Sequence, residues 1–119
     1  MNRARRIAIA GAGIAGLTSA LAFAARGFSV EIFERSPKVE EVGAGLQLSP
    51  NATHILRRIG VLPRLDGVAV KPEAIELLRA STLRKVASVP LGEAAQQRWG
   101  APYLTIHRAD LQQALLSEV

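Results

Sequence analysis

The feature that most constrains this chain is Gly11-x-Gly13-x-x-Gly16, set between the apolar run Arg6 to Ala10 and a stretch where Leu17, Leu21 and Ala24 recur at helical spacing. A short apolar run, a glycine-rich turn and a helix-period segment read as strand, tight turn and helix. Arg26-Gly27 is the helix stop, since glycine takes the left-handed conformation that ends helices. Phe28 to Phe33 then reads as a second strand with Val30 and Ile32 on one face. Such a βαβ unit predicts parallel neighbouring strands with a right-handed crossover, the first strand buried on both faces. Each glycine has a separate role. Gly11 permits the tight turn, Gly13 lets the backbone approach a pyrophosphate, and Gly16 lets the helix pack on the sheet. The N–H groups at the helix start, from Ile14 and Ala15 onward, act with the helix dipole as an anion site.

Glu34 follows the second strand at the spacing that this fingerprint requires. Its carboxylate can accept hydrogen bonds from both hydroxyls of an adenosine ribose and would repel a 2′-phosphate. NADP is thereby disfavoured at this site, leaving FAD or NAD. Taken singly, the glycines could be mere close packing and Glu34 a solvated strand end. Strand, turn, helix, strand and acid occurring in register favour the nucleotide.

The remainder reads as parts of one domain in 119 residues. Ser36-Pro37 opens an irregular segment running through Gly43-Ala44-Gly45. Ser49-Pro50 predicts a helix start, with a hydroxyl N-cap and proline in the first turn. Ile55, Leu56 and Ile59 supply the buried face of that helix, and Gly60 ends it. Ala74 to Ala80 and Lys85 to Leu91 predict a hairpin around Ser81 to Arg84. Tyr103 to His107 predicts a strand, and a last helix starts near Arg108 or Ala109 with Leu111 and Leu115 one turn apart.

Composition removes several function classes. The formal charge of +5 comes from dispersed basic residues, with no basic run interleaved with aromatics, so nucleic acid is not an expected partner. Cysteine is absent, which excludes disulfides and thiol chemistry and fits a reducing cytoplasm. His54 and His107 stand far apart without metal-ligand spacing. Arg3 to Arg6 before the uncharged stretch Ile7 to Ala25 imitates a signal peptide, a twin-arginine signal or a membrane span. The glycine spacing explains that stretch better, and a cytoplasmic protein with no membrane span is expected.

Four segments stand in a particular order: Gly11-Ala-Gly-Ile-Ala-Gly-Leu17, Val30-Glu-Ile-Phe-Glu-Arg35, Gly43-Ala-Gly-Leu-Gln-Leu-Ser-Pro-Asn-Ala52 and His107-Arg-Ala-Asp-Leu111. In them the chain resembles the start of the FAD-dependent aromatic hydroxylases (single-component flavoprotein monooxygenases), especially the salicylate hydroxylase-like branch. The resemblance implies an α/β fold: an incomplete Rossmann-like FAD-binding domain of the glutathione reductase-like type, carrying a small β-hairpin insertion. It implies that residues 1–119 are the N-terminal part of that domain, and that 74–91 begins the sheet of a substrate domain. It assigns Gly11, Gly13 and Gly16 to the pyrophosphate, and Glu34 with Arg35 to the adenosine end. It also places Gly45, Leu46 and Gln47 along the ribityl chain and flavin, and implies a contact of Arg108 with the cofactor near its pyrophosphate. For the full-length parent it implies NAD(P)H as reductant, oxygen, and an aromatic small-molecule substrate.

Two of these roles have bland alternatives. Gln47 alternates with Leu46 and Leu48 and could be a solvent-facing strand residue. Arg108, a cation at a helix N-terminus, needs a compensating anion, which FAD phosphate or Asp110 could supply. Two later family motifs, an Asp-Gly and a Gly-Asp element, are missing; Asp66-Gly67 comes too early and reads as a turn. The chain alone is therefore expected to lack activity and to self-associate, and no catalytic residue is nominated. Another FAD oxidoreductase, opposed by the Gly43 and Arg108 elements, and a non-catalytic dinucleotide-binding module are the competing readings.

Overall fold

A computed structural model describes residues 5–38 and 43–119; Arg3 and positions 39–42 of the irregular segment lie outside the described residues. β1 (Arg6–Ala10) and β2 (Ser29–Phe33) are parallel neighbours, paired Arg6 to Ser29 through Ala10 to Phe33. α1 (Ile14–Ala24) connects them. It ends where Gly27 takes a φ of +85° and returns its N–H to the Ala24 carbonyl at 3.0 Å. Phe23 and Phe28, on either side of that turn, meet edge to face with centroids 5.7 Å apart.

Exposure alternates along both strands. Ile7, Ile9, Val30 and Ile32 are half-buried, whereas Ala8, Ala10 and Phe33 are exposed. The reading of β1 as buried on both faces is therefore corrected. With two strands among the described residues of this sheet and α1 packed on one side, the pleat leaves its alternate residues uncovered.

A second layer is built on an antiparallel ribbon. β3 (Gly45–Leu48) pairs with β6 (Leu104–His107), Gly45 opposite His107 and Leu48 opposite Leu104. Its period-2 pattern sends Leu48, Leu104 and Ile106 inward and leaves Gln47 exposed on the other face. α2 (Pro50–Arg58) follows β3, and a 3-10 turn at Leu62–Leu65 follows α2. α4 (Arg108–Glu118) follows β6 directly and packs against α1, joining the two layers. One aliphatic core runs through both, centred on Leu17, Leu48, Leu56, Val61, Leu65, Ile106, Leu111 and Leu115.

The predicted hairpin is present as β4 (Ala74–Leu78) and β5 (Lys85–Pro90), antiparallel with Ile75 opposite Val89. It projects from the body. The radius of gyration is 17.5 Å and the long axis 65 Å, against about 14 Å for a compact domain of this length.

Three local expectations are corrected. Ser49 occupies the N-cap position of α2, but its hydroxyl donates to the Asn51 side-chain oxygen instead of capping the backbone. Capping needs the Ser49 oxygen to accept a first-turn N–H, whereas here the hydroxyl is turned onto the neighbouring carboxamide. Ile55 is 49% exposed, and the buried arc of α2 runs through Thr53 and Leu56 instead. Thr53 belongs inside because its hydroxyl donates to the Pro102 carbonyl at 2.8 Å. Finally, a helix that the sequence reading passed over, α3 (Glu93–Trp99), lies between β5 and β6, bounded by positive-φ glycines 92 and 100.

Candidate dinucleotide site

The glycine loop is held by its own chain before any ligand is considered. Gly11 adopts a φ of +104°, which only glycine takes without strain. Its N–H donates to the Phe33 carbonyl at 2.7 Å, tying the loop to the end of β2. At Gly16 the constraint is space: a Cβ there would lie 2.0 Å from the Gly11 carbonyl oxygen and 3.4 Å from Ile9 Cγ2. Gly13 is the N-cap of α1 with a φ of −73°, a conformation open to any residue, so the backbone angle alone does not demand glycine there. No side chain caps α1, and no acidic residue sits in its first turn. Its leading N–H groups are therefore left for an outside acceptor, in the positive end of the helix dipole.

Glu34 lies beside this loop. Its Oε2 accepts the Ala12 N–H at 2.7 Å and its Oε1 accepts the Ser36 N–H at 3.1 Å. Those bonds, Ala12 first and Ser36 next, hold the carboxyl below the usual glutamate range, so it is ionised at neutral pH. Each oxygen keeps a further lone pair, and the side chain is solvent-exposed. A carboxylate fixed in this way can still receive two hydroxyl donors. Arg35, the next residue, is also exposed.

The remaining predicted residues gather at the start of α4. The Arg108 N–H donates to the Ala44 carbonyl at 3.2 Å. A Cβ on Gly43 would sit 3.7 Å from Arg108 Cδ, so the arginine stem runs along the glycine backbone. Gly45 pairs with His107 at the mouth of the ribbon. Leu46 packs against the core, which leaves only its backbone for a ligand. Gln47 points outward, with its Oε1 accepting the Tyr103 hydroxyl at 2.8 Å.

Residue 112, which sequence reasoning missed, links the two groups. Gln112 reaches from α4 to donate its Nε2 to the Ala12 carbonyl at 3.0 Å. Arg108 is four residues earlier on the same helix, and i, i+4 positions share a face about 6 Å apart. The arginine is thus one turn from the contact with the glycine loop. The histidines do other work. His54 Nε2 donates to the Trp99 carbonyl at 2.7 Å, and Arg57 donates to the Gly100 carbonyl at 2.9 Å, closing the end of α3. His107 is exposed at the N-cap of α4. Among the described residues no group of His, Cys, Asp or Glu could hold a metal, and no helix is long and apolar enough to cross a membrane.

A βαβ unit whose glycine turn opens a helix beside a strand-end acid defines a Rossmann-like nucleotide-binding domain. Residues 9–39 match the family described as NAD(P)-binding Rossmann-like domain. Along nearly its whole length the chain is similar to the corresponding part of monooxygenases and hydroxylases of aromatic compounds. It is 43% identical over 117 residues to 3-amino-4-hydroxybenzoate 2-monooxygenase of Streptomyces cremeus, covering 98% of this chain and 30% of that protein. It is 43% identical over 110 residues to 3-hydroxybenzoate 6-hydroxylase of Polaromonas naphthalenivorans, covering 92% and 28%. Among solved structures, the tetrameric form of 2-methyl-3-hydroxypyridine-5-carboxylic acid oxygenase superposes with a TM-score of 0.82 at 27% identity, over 98% of this chain and 29% of that one. Klebsiella pneumoniae HpxO, complexed with FAD and uric acid, superposes at 0.80 and 21% identity over 95% and 28%, a likeness of fold. The chain therefore spans about 30% of the length of the curated relatives it matches.

Proposed function

We propose that this chain binds FAD as part of the cofactor domain of an enzyme that hydroxylates an aromatic substrate with NAD(P)H and oxygen. The observation that carries the reading is the Glu34 carboxylate, locked to the Ala12 amide at the head of an uncapped helix start. One edge of that arrangement suits an adenosine ribose and the other a pyrophosphate.

The residues present fit such a cofactor. Gly11, Gly13 and Gly16 bring the backbone against the phosphates, with the Ile14 and Ala15 amides at the first turn of α1. Glu34 takes the ribose hydroxyls, with Arg35 flanking the adenosine end. Arg108, on the α4 face that meets the loop, supplies positive charge to the pyrophosphate. Gly45, the Leu46 backbone and the Gln47 amide border the path of the ribityl chain and flavin. When bound, FAD would supply the redox chemistry and the activation of oxygen. The chain's own part is to bind and orient, and none of its residues is assigned a proton-transfer role.

Residues 74–91 are read as the beginning of the substrate-domain sheet. The support is a hairpin that stands away from the body with Ile75, Leu77, Val86 and Val89 all exposed. The same exposed residues, with Phe33 at 60%, support self-association of the 119-residue chain.

The deciding experiment is a visible absorption spectrum of the purified chain after FAD addition and desalting. Retained flavin with a shifted band is the expected result, weakened in Glu34→Ala. A folded chain that emerges colourless would overturn FAD binding by these residues.

A further inference from the structure

Gln112 is 3% exposed, on a stretch of α4 whose other buried residues, Leu111, Ala114 and Leu115, are aliphatic. Its Nε2 donates to the Ala12 carbonyl, and its Oε1 is buried with no hydrogen-bond partner among the described residues. Packing does not account for an amide here. A half-satisfied buried amide is less favourable than an apolar side chain of the same shape. What the amide does, and leucine cannot, is hold the Ala12 carbonyl.

The consequence follows from peptide geometry. All described peptide bonds are trans, and in a trans peptide the carbonyl and the next N–H point in opposite directions. Drawing the Ala12 carbonyl inward to Gln112 turns the Gly13 N–H outward, at the N-cap of α1. The preceding peptide is fixed in the same manner. With the Ala12 N–H on Glu34, the Gly11 carbonyl points the other way, against Gly16. Two successive peptide planes are locked from opposite sides, one by a residue 22 positions away and one by a residue 100 positions away.

We propose that Gln112 is a positioning residue of the glycine loop, clamping the Ala12–Gly13 peptide so that the Gly13 N–H is presented to a dinucleotide phosphate. The identity of the ligand rests on the FAD reading above; the clamp itself does not. It also couples α4, which carries Arg108, to the loop, so that both sides of the phosphate site are set by one helix.

The test uses the 119-residue chain and two apolar replacements, Gln112→Leu and the unbranched Gln112→Met. Without ligand, NMR should show a more mobile Gly13 amide, read as a lower order parameter, and a Glu34 carboxyl that titrates closer to the ordinary glutamate value, with some loss of thermal stability as the buried Ala12 carbonyl loses its partner. An unchanged Gly13 amide and Glu34 titration in the folded variants would overturn the clamp. Should both variants unfold, the unmodified chain decides: slow exchange of the Gln112 side-chain NH₂ protons supports the clamp, and free exchange sinks it. With FAD as probe, the variants should bind about tenfold more weakly, the loss expected for one hydrogen bond. An original chain that does not bind FAD would remove the FAD reading, while the ligand-free measurements would still decide the role of Gln112.

Discussion

The Ala12 amide and the Glu34 carboxylate, 22 residues apart in sequence, meet at 2.7 Å. One bond joins the glycine loop to the end of the second strand and holds the acid ionised beside the helix start. Replacing the acid therefore acts on both halves of the site. Glu34→Ala should lower FAD affinity by roughly tenfold or more, because it removes a charged acceptor and frees the Ala12 peptide. Glu34→Gln keeps the shape and one acceptor oxygen and should fall between. Titration of flavin fluorescence against each variant checks the order, and equal affinity for all three chains would remove Glu34 from the site.

The same bond sets a pH dependence. The Glu34 carboxyl titrates lower in the folded chain than in the unfolded one, the Ala12 N–H being the main cause. Its contribution is therefore complete above the unfolded value of about 4.3, and is lost as pH falls through the lower folded value. Urea midpoints of the original chain and Glu34→Gln should differ by a constant amount from pH 7 down to about 5. The gap should then narrow on further acidification. A gap that widens in acid would contradict the assignment.

Much of this arrangement is legible in the sequence because it is local. Gly11 falls where the turn needs a positive φ and Gly16 where the helix needs space, with Gly13 at the N-cap between them, and Glu34 comes one strand later. What was illegible has physical reasons. α3 buries only Ala95, so no apolar period marks Glu93–Trp99 as a helix; its signals are the flanking glycines and Glu93 in the first turn. The inward turn of α2 through Thr53 depends on a carbonyl from Pro102, distant in sequence. Gln112 reads as a solvated helix position until α4 is docked on α1. Both are decided by tertiary contacts that no local window contains.

Gly16 separates packing from conformation. Its φ is not in the left-handed region, so alanine is permitted by the backbone. The obstacle is the Gly11 carbonyl, 2.0 Å from a Cβ, and that atom belongs to main chain already fixed by Phe33 and Glu34. Gly16→Ala should therefore push α1 away from the loop and destabilise the fold by about 1–3 kcal/mol or more. FAD retention should be lost with it. A thermal melt within a degree of the original would show that the helix slides without cost.

Leu115 tests the single core. It is fully buried on α4, in the cluster that also holds Leu17 of α1, Leu56 of α2 and Leu65 of the 3-10 turn. Leu115→Ala removes the side chain that several elements share, and its neighbours belong to both layers and cannot all close the gap. The expected loss is about 2–5 kcal/mol, read as a drop in the urea midpoint with an unchanged slope. Exposed Leu83, at 71% accessibility on the hairpin, is the control. Leu83→Ala should cost at most about 0.5 kcal/mol, and should reduce self-association in sedimentation velocity if the hairpin residues mediate it. Equal destabilisation by the two substitutions would mean that the hairpin folds onto the core in solution.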